Sequence, residues 1–364
     1  MIASADAKTL NNMIKKASAL KPMFLALEAR GDRLIAFSLS RSFSDGLIEL
    51  SQWARADILE EGCWWMFNLK NLAPLKSLKK GCDVAIDAAN GKISFTAPGF
   101  TFCVAAGPGY QNDYLPAKFT DDADKALSVG ITEEDAPGFK HVSLALSDDT
   151  TRPEFTGAFI TNHAVVSVDG HRLHLYPKAD AGLTAITPPE MIKAIAAGAC
   201  GKLTEREAAN GKRWHVLEGE DFRMSAECIK GAFPDFSEVI PAYTPEQIAS
   251  ANADEFTDAL KTVSAGWKRS LVALQQEGDK VLITCRRTGK GSEGVEPRSI
   301  RISGKGFPAK AITVNSRYLL DALAVWKGGA LNFCYVDEDS PVWVGHGDGR
   351  DGGMGALVMP VEIK

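Results

Sequence analysis

The chain lacks the apolar run of about 18 residues that a membrane-spanning helix requires. Residues 1–6 also lack the basic and then apolar segments of a secretory leader. Paired cysteines are missing as well: the seven cysteines stand singly, and no Cys-x-x-Cys occurs. An odd number of separate cysteines argues against a disulfide framework and a zinc site. These absences predict a protein of the reducing cytoplasm.

The chain has no surplus of positive charge. Its 41 Lys and Arg residues face 46 Asp and Glu residues, which gives a net charge of −5. Proteins that grip nucleic acid normally carry an excess of Lys and Arg, because the phosphates supply most of the affinity. The charge balance therefore disfavours a DNA-gripping protein, but it does not disfavour a protein that encloses DNA.

The 364 residues include 45% hydrophobic and 24% charged residues, as is typical of globular proteins. That length predicts two or three domains. Apolar residues at helical spacing predict three well-formed helices, at Ala7–Ser18, at Asp254–Trp267 and from Asn315. Their apolar stripes are Leu10, Met13, Ile14 and Ala17; Phe256, Ala259, Leu260, Val263 and Trp267; and Leu319, Ala322, Leu323 and Trp326. Shorter helices are predicted near 68–75, within 132–147 and over 187–197.

The order of predicted elements recurs along the chain. Strands are predicted at 23–27, 33–38, 46–50, 83–88, 92–97, 100–105, 157–161, 164–168, 171–176, 213–217, 222–227, 270–275, 280–285, 330–335, 341–344 and 356–363, with a mobile loop at 286–298. The turn Ala89–Lys92 repeats letter for letter at Ala209–Lys212, 120 residues later. Three rounds of helix, strands, helix and strands, each of roughly 120 residues, indicate an internal repeat and an α+β fold.

The stretch Ala164–Leu175 predicts a β-hairpin. Asp169-Gly170 is expected to supply the positive φ angles of a two-residue turn, and His171 to begin the return strand. By itself this pattern favours an ordinary turn with a solvated His and Arg over a functional site. His171 and His174 are three residues apart and would point to opposite faces of a strand, so a shared metal ion is not expected.

Other chemical motifs are weak. Gly347–Gly352 matches Gly-x-Gly-x-x-Gly, but no helix is predicted after it, so a hairpin loop is expected rather than a dinucleotide site. No Gly-x-x-x-x-Gly-Lys-Ser/Thr loop is present. The carboxylates of Asp148-Asp149 and of 337–339 fall in predicted turns, where solvated acids are the norm. No catalytic set can be assembled from spacing, and no cofactor is expected.

Several stretches carry a resemblance to a known family. They are Thr151–Pro153 with Gly157, Val168–Leu173, Gly231–Phe236 with Val239–Pro241, Val314–Leu323, and Ser340–Val342 with Leu357–Val361. These stretches resemble the bacterial DNA polymerase III β sliding clamps, whose Thr-Asp-Gly-His-Arg-Leu is similar to Val168–Leu173. The resemblance is specific in the last two thirds of the chain. In the first third it rests on spacing, on Lys21-Pro22 and on Asn68–Leu75.

The resemblance implies three repeated clamp domains per chain, at 1–122, 123–244 and 245–364. Two chains would form a head-to-tail homodimer, a ring with helices lining the hole and antiparallel sheets outside. Such a ring is a non-enzymatic DNA sliding clamp, a processivity factor that encloses double-stranded DNA in DNA replication. The implied partners are the DNA polymerase III alpha subunit, the clamp loader and other replication and repair proteins, with no membrane.

The resemblance also implies a pocket between the middle and third domains, where partners insert a short motif that ends in apolar Leu and Phe. Burying two such side chains is worth about 1.5–3 kcal/mol each, so binding is expected to be weak enough for partners to exchange. Carried over residue by residue, the pocket comprises Phe155, Val168, Gly170, His171, Arg172, Leu173, Pro241, Asn315, Tyr318, Pro341, Leu357, Met359 and Pro360.

For DNA contact, the resemblance implies Lys21, Lys70 and the segment Asp148–Arg152, in particular Asp149 and Arg152. Both lysines stand where the family has Arg, and Lys is a less directional phosphate partner. Three further departures from the family pattern are Val168 in place of Thr, Phe155 in place of Leu, and Glu362 where a basic residue is common. A divergent partner motif is therefore one expectation.

Two alternatives stay open. The chain could be a divergent clamp homologue that serves a plasmid or phage, or that confers resistance to a clamp inhibitor. The other alternative is an α+β small-molecule enzyme with a cleft at a domain junction. Such an enzyme would need a convergent cluster of titratable groups, which the spacing of residues does not supply.

Overall fold

The computed structural model describes residues 1–361 except 43–45, 67–68, 79–80, 110–117, 121–125, 179–181, 184, 241 and 346–352. The chain divides into two compact units, one of Met1–Ile131 with Ala199–Ile229 and one of Thr132–Gly198 with Lys230–Lys364. The three-domain division with boundaries at 122 and 244 stays a prediction, and residue 122 lies outside the described residues. Among the described helices, none has the length and apolar character needed to cross a membrane.

Within its described residues, the first unit contains two antiparallel sheets. In spatial order, one sheet comprises β5 (Asp57–Glu60), β1 (Ile2–Asp6), β7 (Asp83–Ala89), β8 (Lys92–Ala97) and β9 (Phe100–Ala105). The other comprises β10 (Gly107–Pro108), β6 (Gly62–Met66), β2 (Phe24–Arg30), β3 (Arg33–Arg41), β4 (Leu47–Arg55), β18 (Phe222–Glu227), β17 (Arg213–Glu218), β16 (Gly201–Glu207) and β11 (Ser128–Ile131). These sheets confirm the predicted α+β class.

Helix α1 (Ala7–Ala19) packs on the core of the first unit through the predicted stripe. Its four apolar residues are all buried, together with Leu25 and Leu27 of β2 and Val84 of β7. Asp6 caps the helix by accepting a hydrogen bond from the Thr9 amide at 2.9 Å. The predicted second helix is instead a 3-10 helix, Leu69–Ser77, with Pro74 inside it. Proline has no N–H to donate, which disfavours a regular α-helix there.

The second unit contains the remaining helices and one antiparallel sheet within its described residues. The α-helices are α2 (Ala136–Ser143), α3 (Pro153–Thr156), α4 (Pro189–Ala196), α5 (Ala253–Ser264) and α6 (Ser316–Leu323). Short 3-10 helices are also present at Glu133–Asp135, Phe236–Val239 and Pro245–Gln247. The sheet comprises, in spatial order, β15 (Ile186–Thr187), β12 (Ala158–Ile160), β13 (Ala164–Val168), β14 (Arg172–Pro177), β26 (Gly355–Val358), β25 (Val342–Gly345), β24 (Ala330–Cys334), β19 (Ile248–Asn252), β22 (Arg298–Lys305), β21 (Lys280–Arg287), β20 (Ser270–Glu277) and β23 (Ile312–Asn315).

The apolar stripes of α5 and α6 are buried as predicted, but both helices end earlier than the stripes. Trp267 and Trp326 lie beyond the helices and are only partly buried against the same core. After α5 the backbone leaves the helical region at Ala265, and Gly266 takes a φ of 76°. A left-handed glycine just past the last turn is a usual way to end a helix.

Several strands were not predicted from the sequence: β1, β5, β6, β10, β11, β15, β16, β19, β22 and β23. Charged and small residues dominate many of them, as in β16, where only Leu203 and Thr204 are buried. Strand β16 nevertheless pairs with β11 and β17, so the neighbouring strands place it in the sheet rather than its own pattern. The predicted strand at 356–363 is also shorter, since β26 ends at Val358.

Two buried histidines lie between helix α2 and the sheet of the second unit. The rings of His141 and His174 stack with centroids 4.3 Å apart. His141 donates from Nε2 to the Gly355 carbonyl, and His174 donates from Nδ1 to the His141 carbonyl, both at 2.8 Å. Each other ring nitrogen has no hydrogen-bond partner among the described residues. Burial lowers the pKa of His141 to about 4 and lowers that of His174 as well.

This pair makes stability pH-dependent. The unfolded chain binds a proton on each histidine near pH 6.5, whereas the folded chain keeps both rings neutral until far lower pH. The unfolded state therefore binds more protons in this window, and stability falls as the pH falls. We expect the free energy of unfolding, measured in urea, to drop by about 2 kcal/mol per buried histidine from pH 7 to pH 5.

The matched variants are His141→Gln, whose amide can still donate to the Gly355 carbonyl, and His163→Gln in an exposed loop. His141→Gln should reduce the loss of stability between the two pH values, and His163→Gln should leave it unchanged. An unchanged loss in His141→Gln would contradict the assignment.

Candidate docking site

The hairpin of β13 and β14 is present, but its turn differs from the prediction. Val168 pairs with Leu173, and the amide of Asp169 donates to the carbonyl of Arg172 at 3.3 Å, so Gly170 and His171 are the two central residues. Gly170 has a φ of 89°, while Asp169 does not have a positive φ. The expectation that Asp169 supplies a positive φ angle was therefore wrong.

The Asp169 carboxylate explains this geometry. Its Oδ1 accepts hydrogen bonds from the amides of His171 at 2.9 Å and Arg172 at 3.1 Å. A side chain that replaces a backbone acceptor in this way holds the chain in an Asx turn. The aspartate thus shapes the turn through its side chain, and glycine supplies the left-handed residue.

Arg172 is the most heavily bonded side chain at the site, and only 8% of it is exposed. Its Nε donates to Asp169 Oδ2 at 2.9 Å, its Nη1 to Asp321 Oδ2 at 2.5 Å and its Nη2 to the Leu144 carbonyl at 2.6 Å. A buried charge that loses its partner costs about 3–5 kcal/mol. These contacts therefore fix the hairpin against α6 and against the end of α2.

The ring of Tyr318 in α6 contacts two neighbouring residues of the hairpin, His171 and Arg172. The guanidinium carbon of Arg172 is 4.4 Å from the centre of its ring, and the His171 ring stacks on it at 6.1 Å. Burial and the nearby Asp169 carboxylate raise the pKa of the Tyr318 phenol. Asn315 caps the same helix, because its Oδ1 accepts from the Arg317 amide at 2.9 Å. The structure thus brings together four residues of the predicted site, which are His171, Arg172, Asn315 and Tyr318.

The last described residues connect the hairpin to the far strand β23. The Met359 amide donates to the His171 carbonyl at 2.9 Å, and the Val361 amide donates to the Thr313 carbonyl at 2.8 Å. Between them, Pro360 forms a bridge with Val314. Met359 and Val361 remain 40% and 37% exposed, so they present apolar surface beside the turn.

An apolar cluster forms the other part of the predicted site. Val168, Leu173 and Leu357 are buried in it, and Phe155 packs against it. Successive residues of a strand point to opposite faces, so Leu173 enters this cluster while Arg172 bonds on the opposite face. The other buried members, which the sequence did not assign to the pocket, are Ala164, Val166, Leu175, Ile240, Cys334 and Trp343.

The chain's own aromatic residues pack over this cluster. Phe233, Phe236 and Tyr243 are partly buried against it, and the Tyr243 hydroxyl donates to the Pro341 carbonyl at 3.3 Å. Leu173 and Leu357 are each only 2% exposed. An incoming apolar side chain could reach them only if one of the covering residues moved.

A polar cavity of about 390 Å³ opens on the side of the turn where Arg172 lies. Its lining includes the predicted residues His171, Arg172, Asn315 and Tyr318. The other lining residues are Leu146, Ser147, Asp148, Asp169, Lys268, Arg269 and Arg317. Lys268 and Arg269 could not be grouped with the hairpin from the sequence, because no local pattern joins segments that lie so far apart.

The predicted DNA contacts fall in both units. Lys21 and Lys70 are exposed in the first unit, on the loop after α1 and in the 3-10 helix. Asp149 and Arg152 are exposed in the second unit. Hydrogen bonds from Thr151 hold the Asp149 carboxylate in its own turn and lower its pKa. Arg152 lies 5.8 Å from the centre of the Phe155 ring, beside the apolar cluster.

Some expectations concern residues without a described structure. Pro241, the loop Gly347–Gly352 and Glu362 all lie outside the described residues. Within the described part of the chain, no group of three or more His, Cys, Asp or Glu residues is arranged to hold a metal ion. His174 instead lies in the buried pair with His141.

Comparison with known proteins gives consistent relatives, although no family model matches the chain. The beta sliding clamp of Caulobacter vibrioides (strain NA1000 / CB15N) is 26% identical, over 93% of this chain and 91% of the relative. Among solved structures, Caulobacter crescentus pol III beta has a TM-score of 0.79 at 20% identity, with both chains fully covered. The DNA polymerase III subunit beta from Pseudomonas aeruginosa has a TM-score of 0.77 at 17% identity, again with full coverage. The chain is therefore similar to beta sliding clamps over nearly its whole length in sequence, and it has their fold.

Proposed function

We propose that this chain is a DNA sliding clamp, a non-enzymatic ring that encloses duplex DNA and tethers the replicative polymerase. The observation that carries the proposal is the likeness to beta sliding clamps over essentially the whole chain, in sequence and in fold. Two chains form the ring as a head-to-tail homodimer. The ring acts in the cytoplasm, where the chromosome is replicated.

Enclosure accounts for the acidic charge of the chain. A protein held on DNA by topology needs little contact energy, and a strongly basic hole would hinder sliding. Local positive charge is nevertheless available, since Lys8 and Lys15 lie on the exposed face of α1, where the neighbouring Lys16 is paired with Asp221 at 3.6 Å. Together with Lys21 and Lys70, they give the inner surface a weak attraction for phosphate.

Docking of partners uses the hairpin, the apolar cluster and the segment Met359–Val361. This surface combines a rigid polar turn with exposed apolar side chains, which suits the apolar end of a short peptide motif. The predicted pocket residues belong to these elements or lie beside them. Pro241 is left out of this proposal because it lies outside the described residues. Phe155 packs against the apolar cluster, as the covering aromatic residues do, so we propose that it sets which motif can enter.

The ring itself can be tested by size and by retention on DNA. Sedimentation should give a species near twice 39.1 kDa. After loading, the protein should stay on nicked circular DNA and leave when the circle is cut, because a linear molecule has ends from which a ring can slide. A stable monomer, or retention that ignores linearisation, would contradict the proposal.

The docking surface can be tested by removing its exposed apolar groups. We expect Met359→Ala with Pro360→Ala to weaken binding of a Leu-Phe-ending polymerase peptide by about tenfold, or about 1.4 kcal/mol, without unfolding the protein. The control is Val295→Ala, an apolar residue that is 37% exposed in another loop. Binding that survives the double substitution would place the docking site elsewhere.

Lys21 offers a test of DNA contact that separates function from stability. Its φ is 49°, a left-handed conformation that costs a residue with a Cβ about 1–2 kcal/mol. We expect Lys21→Gly to keep or raise the stability, yet to weaken DNA binding. The slope of log affinity against log salt should become shallower by about 1 for each copy of Lys21 that neutralises a phosphate in the two-chain ring.

The matched control for this substitution is Asn90→Gly. Asn90 also has a positive φ, 52°, in the turn between β7 and β8. It carries no charge, so DNA binding should be unchanged in this variant. If Lys21→Gly binds DNA with the affinity and salt slope of the unaltered protein, Lys21 does not touch DNA.

A further inference from the structure

More positive than negative side chains line the polar cavity beside the hairpin. Lys268, Arg269 and Arg317 line it and are exposed, and none has a carboxylate oxygen within 4.0 Å among the described residues. Of the two carboxylates that line it, Asp169 is already bound to Arg172 and to two backbone amides. Only Asp148 remains to face three cations.

Two of these cations are held on rigid elements. Arg317 follows the cap residue of α6 by two positions, and Arg269 precedes β20. Their neighbours Ser316 and Ser270 are both buried and hydrogen-bonded to each other, with 2.6 Å between the hydroxyl oxygens. This contact fixes the start of α6 against the start of β20. The backbone positions of the two arginines are therefore set before any ligand arrives, which lowers the entropy cost of binding.

We infer that this cavity receives one acidic side chain of the partner's docking motif, and that Lys268, Arg269 and Arg317 determine that preference. The inference rests on the proposed docking function and specifies its ligand. His171 and Tyr318 line the cavity, and the backbone of His171 holds Met359, so the cavity adjoins the surface that receives the apolar end of the motif. One peptide can therefore occupy both.

An acidic peptide fits the cavity better than a nucleic acid strand does. A strand would bring successive phosphates past the exposed carboxylate of Asp148, which would repel them. A single carboxylate can instead face the three cations. The fork of an arginine is also suited to bind a carboxylate through two hydrogen bonds.

The test uses the whole 364-residue chain and synthetic peptides with blocked ends. Every peptide ends in Leu-Phe. Four peptides carry a single Glu, each at a different one of the four positions before Leu-Phe. Each of these has a matched peptide with Gln in place of the Glu. At one position, the Glu peptide should bind about fivefold more tightly than its Gln partner at low salt, and this ratio should shrink at high salt. Equal affinities at every position would overturn the inference.

Variants of the lining residues show whether this cavity causes the preference for Glu over Gln. Lys268→Gln with Arg317→Gln should abolish the preference for Glu, while Asp148→Asn should increase it. Lys305→Gln, an exposed lysine outside this cavity, removes the same type of charge and should leave the preference intact. A preference that persists in the double variant, or one that Lys305→Gln removes, would show that the cavity does not bind the acidic side chain.

The binding results also distinguish failure of this inference from failure of the proposed function. If no Leu-Phe peptide binds at all, the docking function itself fails. If the Gln peptides bind and the Glu peptides bind no better, only the acidic subsite fails. If a short single-stranded oligonucleotide competes for the cavity with higher affinity than any Glu peptide, the cavity is a nucleic-acid site and the inference is wrong.

Discussion

The second unit depends on the buried guanidinium of Arg172 for the shape of its hairpin end. This side chain is bonded to the turn that precedes it, to the end of α2 and to α6, and it lies over the ring of Tyr318. Five N–H groups in a fixed fork allow one arginine to connect elements that approach from different directions. Lysine could not do so, because its single ammonium lacks the fork. The turn and the wall of the polar cavity keep their present form because this charge is paired with the carboxylates of Asp169 and Asp321.

Side chains along β14 point alternately to its two faces, so the site has a polar part on one face and an apolar part on the other. Arg172 and His174 lie on the face that meets the helices, while Leu173 and Leu175 lie in the apolar cluster on the other face. The two parts meet only where the strand ends, at Gly170 and His171, and where Met359 joins it. A peptide that uses both parts must therefore pass around the turn. Phe155, Phe233 and Tyr243 pack against the apolar part, so an incoming side chain could reach it only if one of them moved.

Much of the fold could be predicted from local sequence patterns. The stripes of α1, α5 and α6 follow a 3.6-residue period, and each became a buried face. The identical tetrapeptides Ala89–Lys92 and Ala209–Lys212 show the limit of such patterns. At the first, Asn90 and Gly91 both have a positive φ; at the second only Gly211 does, and the hydrogen bond that closes the loop joins the Ala208 amide to the Lys212 carbonyl. The flanking strands therefore determine which turn forms.

Local patterns were sufficient for the three amphipathic helices, for the hairpin and for the residues that resemble a sliding clamp, because each of these depends on neighbours within a few residues or on a short motif. Folding in three dimensions was needed to pair Arg172 with Asp321, to stack His141 on His174, and to bring Lys268 and Arg269 into one cavity with His171. These contacts join residues far apart in the chain. Their existence depends on strand register and on the direction of each helix, and no local pattern encodes either of these.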